Sequence, residues 1–340
     1  MKFPHHTIRS GQKQFYLDTL KAINEHKTLM AYAPTGLGKT AAVLTAAIEK
    51  QYDNREGLIF FLTSRHSQHS IAIETLKKIK EVNNIDLNVI DIINKKGMCP
   101  LDLQMSRSEF ESYCYRARRQ GTCKYGKVNP LAVDALNREV YHVEEAQDIC
   151  KLYGSCPYFT SLSRFKTADI IISDYSYIFD PGIREVVLSR AMKSFDEFIV
   201  IVDEAHNLPD RAREYGSSSL TPGLIGACRK LSKEVLKNKL LGNQLKSLSN
   251  VVTNNVETEV SMEDIFHLIN DNFSKDFLGD VTYTNFLRDV EDAAEEVKAL
   301  TKDPMPNALH ALANFFRIWE VDLQDYVRII NPDGTFLVPL

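Results

Sequence analysis

Ala33-Pro-Thr-Gly-Leu-Gly-Lys-Thr40 is the stretch whose reading decides the fold. A short apolar run, Leu29–Ala33, leads into it, and Thr40–Lys50 follows with Ala, Val and Leu at helical spacing. Strand, glycine-rich turn and helix in that order make a cradle for phosphate. Gly36 and Gly38 let backbone N–H groups close around anionic oxygens, and the helix N-terminus adds its dipole. Lys39 is then placed to reach the β- and γ-phosphates of a nucleotide, and the Thr40 hydroxyl to ligate Mg²⁺. The expected nucleotide-binding set is Thr35, Gly36, Leu37, Gly38, Lys39 and Thr40. Arg9 and Gln12, just before the first predicted helix, are expected to contact the adenine. Ala33 stands where the strict pattern has a glycine.

Outward from that loop, apolar runs alternate with helical stretches. Leu58–Leu62 is followed by a helix around Ser70–Glu81, and that by a run at Leu87–Ile93; the strand pattern returns at Asp169–Ser173 and Phe198–Val202. Such alternation predicts βαβ units and a parallel sheet with helices on both faces. Phe198–Val202 reads as a strand buried on both faces. It delivers Asp203-Glu-Ala-His206 to the C-terminal edge of the sheet, where ligands of open parallel sheets bind. Asp203 is expected to hold Mg²⁺, Glu204 to orient or deprotonate an attacking water, and His206 to transmit nucleotide state. Lys39, Asp203, Glu204 and His206 are thus the candidate catalytic group. Thr63-Ser-Arg-His-Ser-Gln68 follows the Leu58–Leu62 strand, and Thr63, Arg65 and Gln68 suit a loop that tracks phosphates.

Residues 95–160 break the rhythm. Cys99, Cys114, Cys123 and Cys156 fall there, with few aliphatic runs. A segment so poor in apolar residues is expected to need a metal staple in place of a core. No C-x(2–4)-C pair occurs, which disfavours zinc. Lys95, Lys96, Arg116, Arg118, Arg119, Lys124 and Lys127 are interleaved with Tyr113, Tyr115 and Tyr125. Stacking aromatics beside a basic track is one way to bind single strands without sequence preference; a solvated basic loop is the plainer reading. Tyr113, Arg116, Arg118, Arg119 and Lys124 are the nucleic-acid candidates within it.

From about 210 to 330 the signals are helical. Thr221-Pro222 is an N-cap with first-turn proline, and Leu224, Cys228, Leu231 and Val235 follow on one face. Ser261 precedes a helix with Ile265, Leu268 and Ile269; Asp303-Pro304 ends another; a last one carries Leu309, Leu312, Phe316, Trp319 and Leu323. These stripes read as bundle core, Cys228 included. Asn331-Pro-Asp-Gly334 reads as a turn before the apolar Phe336–Leu340.

The bulk properties bound the rest. A chain of 340 residues is long enough for two or three units, and 44% apolar with 25% charged residues is ordinary for a soluble globular protein. The N-terminus has no apolar signal core and no run approaches a membrane span, so a cytosolic protein is expected, with no membrane partner. In a reducing compartment six cysteines imply metal ligation or burial before disulfides. A net charge of −4 gives no overall attraction to nucleic acid, so any binding must be local.

The order Ala-Pro-Thr-Gly-x-Gly-Lys-Thr, Thr-x-Arg-x-x-Gln, a cysteine-rich insert and Asp-Glu-Ala-His resembles the XPD/DinG-type iron–sulfur helicases of superfamily 2. Gly154-Ser-Cys-Pro-Tyr-Phe159 looks like that family's last cluster ligand, and Ile170-Ile-Ile-Ser-Asp-Tyr175 like its strand before the magnesium box. The resemblance implies an α/β, RecA-like motor domain from 1–95 and 161–209, joined by about 329–340. It implies an iron–sulfur domain at 96–160 and a mostly helical Arch-like domain at 210–328, with the family's second motor domain and arginine finger absent from this chain. It implies a [4Fe–4S] cluster on Cys99, Cys114, Cys123 and Cys156, with Cys150 the competitor for the fourth place. It further implies ATP, Mg²⁺ and 5′-3′ movement on single-stranded, fork or junction DNA by a monomer. A nucleotide-gated DNA-binding module, or another P-loop ATPase with a zinc-stabilised insert, are the alternative readings.

Overall fold

The computed structural model describes residues 1–5, 7–34, 36–54, 57–254, 283–320, 326–331 and 334–339. The chain forms two compact units. One comprises Met1–Gln104, Lys124–Ile178 and Arg184–Leu208; the other comprises Met105–Cys123, Phe179–Ile183 and Pro209–Leu340. Residues 96–160, expected as one insert, divide between them: 105–123 group with the second unit and the remainder with the first.

The first unit opens with α1 (Gln12–Asn24), α2 (Lys39–Asn54), β1 (Leu58–Thr63), α3 (His69–Asn83) and β2 (Val89–Asp91). The cysteine-rich stretch supplies five helices: α4 (Lys95–Met98), α5 (Arg107–Arg119, in the second unit), α6 (Pro130–Leu136), α7 (Val143–Leu152) and α8 (Pro157–Ser163). Then come β3 (Ile170–Asp174), α9 (Ser176–Phe179), α10 (Pro181–Ala191) and β4 (Phe198–Val202). The four strands form a parallel sheet in the order β2-β3-β1-β4. Phe60 on β1 registers with Ile171 on one side and Val200 on the other. All six residues of β1 are buried, as a central strand covered on both faces requires. Leu44, Ile48, Phe61, Ile73, Leu76 and Ile172 form the core between this sheet and α2 and α3. Each such side chain contributes about 1.5–3 kcal/mol on burial.

Two expectations about the sheet are corrected. β4 is half-buried along its length, because it is an edge strand whose only partner among the described residues is β1. Leu29–Ala33 forms no strand, and Met30 and Tyr32 stand exposed at 93% and 103%. The run is hemmed in by His26, at a left-handed φ of 51°, and by Pro34, which has no N–H to offer a ladder.

A third correction concerns the insert. It does build a small core, from Ala132, Leu136, Ala146 and Cys150 on α6 and α7. Arg164, only 4% exposed, fastens α6 to the sheet. Its guanidinium donates to Asn137 Oδ1 (2.7 Å), Asn88 Oδ1 (2.7 Å), Leu136 O (2.8 Å) and Val89 O (3.1 Å). Burial pulls its pKa down to about 10, yet the fork stays charged, with Nε and Nη2 both hydrogen-bonded.

The second unit continues through α11 (Leu208–Gly216), β5 (Ser218–Leu220), α12 (Pro222–Lys230), a π-turn at Leu231–Leu236, and α13 (Lys239–Asn254). After the undescribed stretch come α14 (Tyr283–Thr301), α15 (Ala308–Glu320), β6 (Tyr326–Asn331) and β7 (Gly334–Pro339). The expected cap is present: Thr221 Oγ1 accepts from Leu224 N at 3.1 Å with Pro222 at the first helical position. Cys228, Leu231 and Val235 are buried with Phe286, Leu309 and Phe316, so the stripes are core. The helix expected at Ser261 with Ile265, Leu268 and Ile269, and Leu323 and the Trp319 side chain, lie outside the described residues. The unit is not wholly helical, because β5, β7 and β6 form an antiparallel sheet. β7, within the stretch about 329–340 expected to join the motor domain, instead pairs with β5. Val327, Ile329 and Ile330 before an Asn-Pro-Asp-Gly connection are a hairpin signal. Among the described residues, no helix is long and apolar enough to cross a membrane.

Candidate functional site

The glycine-rich loop sits between α1 and α2 in the first unit. Gly36 and Gly38 take φ of 89° and 84°, a conformation side chains resist. A second reason holds at Gly38: a Cβ there would lie 2.3 Å from Gln12 Nε2. Gln12, 3% exposed, donates from Nε2 to Gly38 O at 3.1 Å and accepts from Arg9 N at 3.1 Å. Arg9 Nη1 donates to Gly36 O. The two residues expected at the adenine therefore brace the loop's carbonyls. They also line, with His5, Thr7, Thr40 and Thr75, a cavity of about 410 Å³ at the start of α2. Thr40 is thus beside this cavity; Leu37 closes the turn through its N–H to Pro34 O at 3.3 Å. Thr35 lies outside the described residues.

β4 carries the acidic box to the same place. Lys39 Nζ is 3.9 Å from Glu204 Oε1 and 3.4 Å from Ala33 O. Both side chains remain about one-third exposed, at 34% and 37%. Asp203 hangs from the sheet by its N–H to Leu62 O at 2.9 Å. Burial and the neighbouring Glu204 push its carboxyl above the usual range, with Lys39 pulling the other way. Two carboxylates beside one ammonium form a site short of positive charge, which a divalent cation would supply. Glu204 holds a left-handed φ of 51°, ψ 44°, unusual for a residue with a side chain. Tyr175, 1% exposed, holds it there by donating to Asp203 O at 2.5 Å and Glu204 O at 3.0 Å. Asn207 Nδ2 adds a bond to Glu204 O at 3.1 Å and lies 3.2 Å from His206 Nε2. His206 Nδ1 is 3.3 Å from Glu204 Oε2, with the ring 72% exposed. The structure thus brings Lys39, Asp203, Glu204 and His206 together. It adds Tyr175 and Asn207, whose bracing role had no signal in the sequence.

The loop after β1 is a tight turn. Thr63 Oγ1 donates to Arg65 O at 3.1 Å, and Gln68 Oε1 accepts from Arg65 N at 3.2 Å and Ser64 Oγ at 3.3 Å. Thr63 and Gln68 shape the turn, and Arg65 is the side chain it leaves exposed.

Residues 61–225 match the DEAD_2 family. The ATP-dependent DNA helicase XPD of Sulfolobus acidocaldarius is 24% identical over 245 residues, covering 72% of this chain and 41% of that protein. A regulator of telomere elongation helicase 1 homolog of Caenorhabditis briggsae is 31% identical over 339 residues, covering 82% of this chain and 33% of that protein. A solved XPD helicase structure superposes over 98% of this chain and 55% of its own, with a TM-score of 0.56 and 20% identity. The chain is a relative of the XPD-type superfamily 2 helicases. It spans 41% and 33% of the two curated relatives it matches here.

The cysteines fall in distinct settings. Cys99 follows α4, and Cys156 caps α8, with its N–H bonded to Lys127 O at 3.0 Å. Both belong to the first unit, where α4 and α8 pack and Lys95 Nζ lies 5.8 Å from the Tyr158 ring centroid. Cys114 and Cys123 belong to the second. A left-handed Gly121 (φ 69°) turns the chain so that Cys123 N bonds back to Ala117 O at 3.1 Å, on the helix that carries Cys114. All four are half-buried, whereas Cys150 is fully buried and its thiol is pushed up to about 11 by desolvation. Cys228 is likewise core, its thiol raised further by burial.

The basic, aromatic track is only partly as expected. Tyr115 and Tyr125 are buried at 9% and 8%, so they pack the interior and offer no stacking face; Tyr113 is half-buried. Lys95 is buried against Tyr158. Arg119 donates to Val235 O and Arg116 Nη1 pairs with Glu234 at 3.4 Å, both within the second unit. Arg118 is half-buried, and Lys124 is exposed over the Tyr125 ring at 5.3 Å.

Proposed function

We propose that this chain carries the first motor part of an ATP-dependent 5′-3′ DNA helicase that moves along single-stranded DNA in DNA repair. The observation that carries the reading is Lys39, 3.9 Å from Glu204 at the mouth of a loop with two left-handed glycines. Lys39 is positioned to turn from Glu204 to the β- and γ-oxygens of a nucleotide. Glu204, released from that pairing, takes a proton from the attacking water. Asp203 and Thr40 would hold Mg²⁺, which would supply positive charge to the phosphates. Arg9 and Gln12 keep the loop's carbonyls turned away from the anion while they reach toward the base. Direction of travel and the choice of forked DNA rest on kinship with XPD-type proteins.

The four half-buried cysteines, Cys99, Cys114, Cys123 and Cys156, are proposed as ligands of a [4Fe–4S] cluster. Four thiolates are the donor set such a cluster takes. Cys150, a core thiol held protonated, fits that role poorly. The proposed division is a motor domain (1–95, 161–209), an iron–sulfur domain drawn from 96–160, of which 105–123 group with the second unit, and an Arch-like domain (210–328), in a monomer of the cytoplasm or nucleus.

The test is DNA-stimulated phosphate release by the protein with its second motor domain present. Lys39→Ala and Glu204→Gln should each abolish it; unchanged turnover in either overturns the reading. An arginine from a second motor domain is worth on the order of 10³–10⁵ in rate in other NTPases. These 340 residues assayed by themselves should therefore turn over slowly. Iron and acid-labile sulfide in anaerobically purified protein should be lost with Cys156→Ser and kept with Cys150→Ser. Zinc in place of iron would favour the zinc-stabilised alternative.

A further inference from the structure

Three imidazoles converge on one buried carboxylate in the first unit, away from the nucleotide residues. Asp91, at the end of β2, has a fully buried side chain, and His69, at the start of α3, meets its Oδ1 through Nδ1 at 2.5 Å. Asp91 Oδ2 accepts from Val143 N at 3.1 Å. His142, the residue before α7, brings Nε2 to 3.7 Å from that same Oδ2, while its Nδ1 is engaged by Glu144 Oε2. His66, in the turn after β1, has its ring centroid 5.2 Å from those of both His69 and His142. One ring nitrogen each from His66 and His142, and one Asp91 oxygen, lie within 4.8 Å of one another.

The hydrogen-bonding roles leave a gap that a cation fills. Glu144 can only accept, which assigns the His142 proton to Nδ1 and leaves a lone pair on Nε2. That lone pair faces a carboxylate oxygen, also an acceptor. Among the described residues, Nε2 of His142 and Nε2 of His66 are both shielded from water and without a hydrogen-bond partner. Buried polar atoms in that condition call for an explanation, an ion being one.

We propose that His66, Asp91 and His142 bind a divalent transition-metal ion of the Zn²⁺ type, with His69 orienting the carboxylate. Two neutral imidazoles and one carboxylate are a donor set Zn²⁺ accepts, and a water completes four-coordination. A carboxylate ligand fixed by a second group is the usual outer arrangement. A tetrahedral ion with bonds of about 2.0–2.2 Å holds its ligands roughly 3.3–3.6 Å apart, so the site closes with side-chain rotation of about an ångström. The ion ties the turn that carries Thr63, Arg65 and Gln68 to the end of β2 and the first turn of α7. It is independent of the cysteines and of the cluster proposed on them.

The test is titration of chelator-treated protein with Co²⁺, followed by Zn²⁺. One equivalent of Co²⁺ should enter a site with visible d–d absorption and no thiolate-to-metal band in the near ultraviolet, and Zn²⁺ should displace it. His66→Gln and His142→Gln should each lose that equivalent, and the rise in unfolding midpoint on adding Zn²⁺, while His26→Gln, an exposed histidine outside the site, keeps both. The inference is overturned if the parent takes up no such equivalent, or if both histidine variants bind as the parent does. Should a substitution prevent folding, X-ray absorption of the Zn²⁺-loaded parent decides. Imidazole and oxygen scattering supports the site, and a sulfur-only shell removes it.

Discussion

At Gly38 one atom's worth of space separates a working loop from a blocked one. An alanine there would place its Cβ 2.3 Å from Gln12 Nε2 and would also have to adopt φ 84°. The left-handed backbone alone costs about 1–2 kcal/mol. Gln12 cannot step aside cheaply, since it is buried and bonded to Gly38 O and Arg9 N. Gly38→Ala should therefore weaken nucleotide binding about tenfold or more, as read by titration with a fluorescent ATP analogue; an unchanged Kd would refute the cradle. Asp203 makes the opposite argument, for a charge the fold buries at a cost. Its carboxyl is raised by burial first and by Glu204 second. For an acid raised in the folded state, the contribution to stability is present below the unfolded pKa and lost as pH rises through the folded value. At pH 7 the charged group therefore destabilises the metal-free protein. Asp203→Asn should raise the melting temperature at neutral pH without Mg²⁺ or nucleotide, and the gain should shrink as pH falls into the carboxylate range. A variant that melts lower at neutral pH would contradict this.

Elements repeat the contrast between local signals and distant ones. The start of α12 is written in four adjacent residues, and Thr221→Ala should cost about 1 kcal/mol through the lost bond to Leu224 N. For a unit of this size that lowers the melting temperature by roughly 2–4 °C, measurable by calorimetry as a shift in the transition of the second unit. An unchanged transition would mean the cap is idle. The glycine loop, the Asp203–His206 box and the helical stripes were legible for the same reason: each depends on residues close in sequence. The antiparallel sheet was missed because β6 and β7 gain their third strand from β5, three residues long and about a hundred positions earlier. Leu29–Ala33 was read as a strand from its apolar run, but an apolar run does not say which neighbour it will pair with, and in the structure it joins no sheet. Arg164, Tyr175 and the His66–Asp91–His142 group are assembled from separate segments. A lone Arg, Tyr or His in a sequence carries no mark of the partners that the fold will bring to it.

Over the whole molecule, a net charge of −4 means that the proposed ligand, single-stranded DNA, would have to be held by a few cations against an unfavourable mean field. The basic residues divide into those the fold has already used and those it presents. Lys95 is buried on Tyr158, Arg119 is committed to Val235 O, and Arg116 is paired with Glu234. Arg65 and Lys124 are exposed, each within the first unit. Phosphate contacts by such side chains release counterions, and each is worth about 0.7 in the slope of log K against log salt for single strands. Replacing Arg65 and Lys124 together by Gln should therefore flatten that slope by about 1.4, with binding weakened equally for different base compositions, since phosphates carry no sequence. Fluorescence anisotropy with labelled oligonucleotides across a salt series makes the measurement. Arg119→Gln is the contrast: its side chain serves the second unit, so it should lower the melting temperature and leave the slope nearly as it was. If instead Arg119→Gln flattens the slope and the double variant does not, the DNA runs over the helix that carries Cys114, and the turn after β1 has no part in holding it.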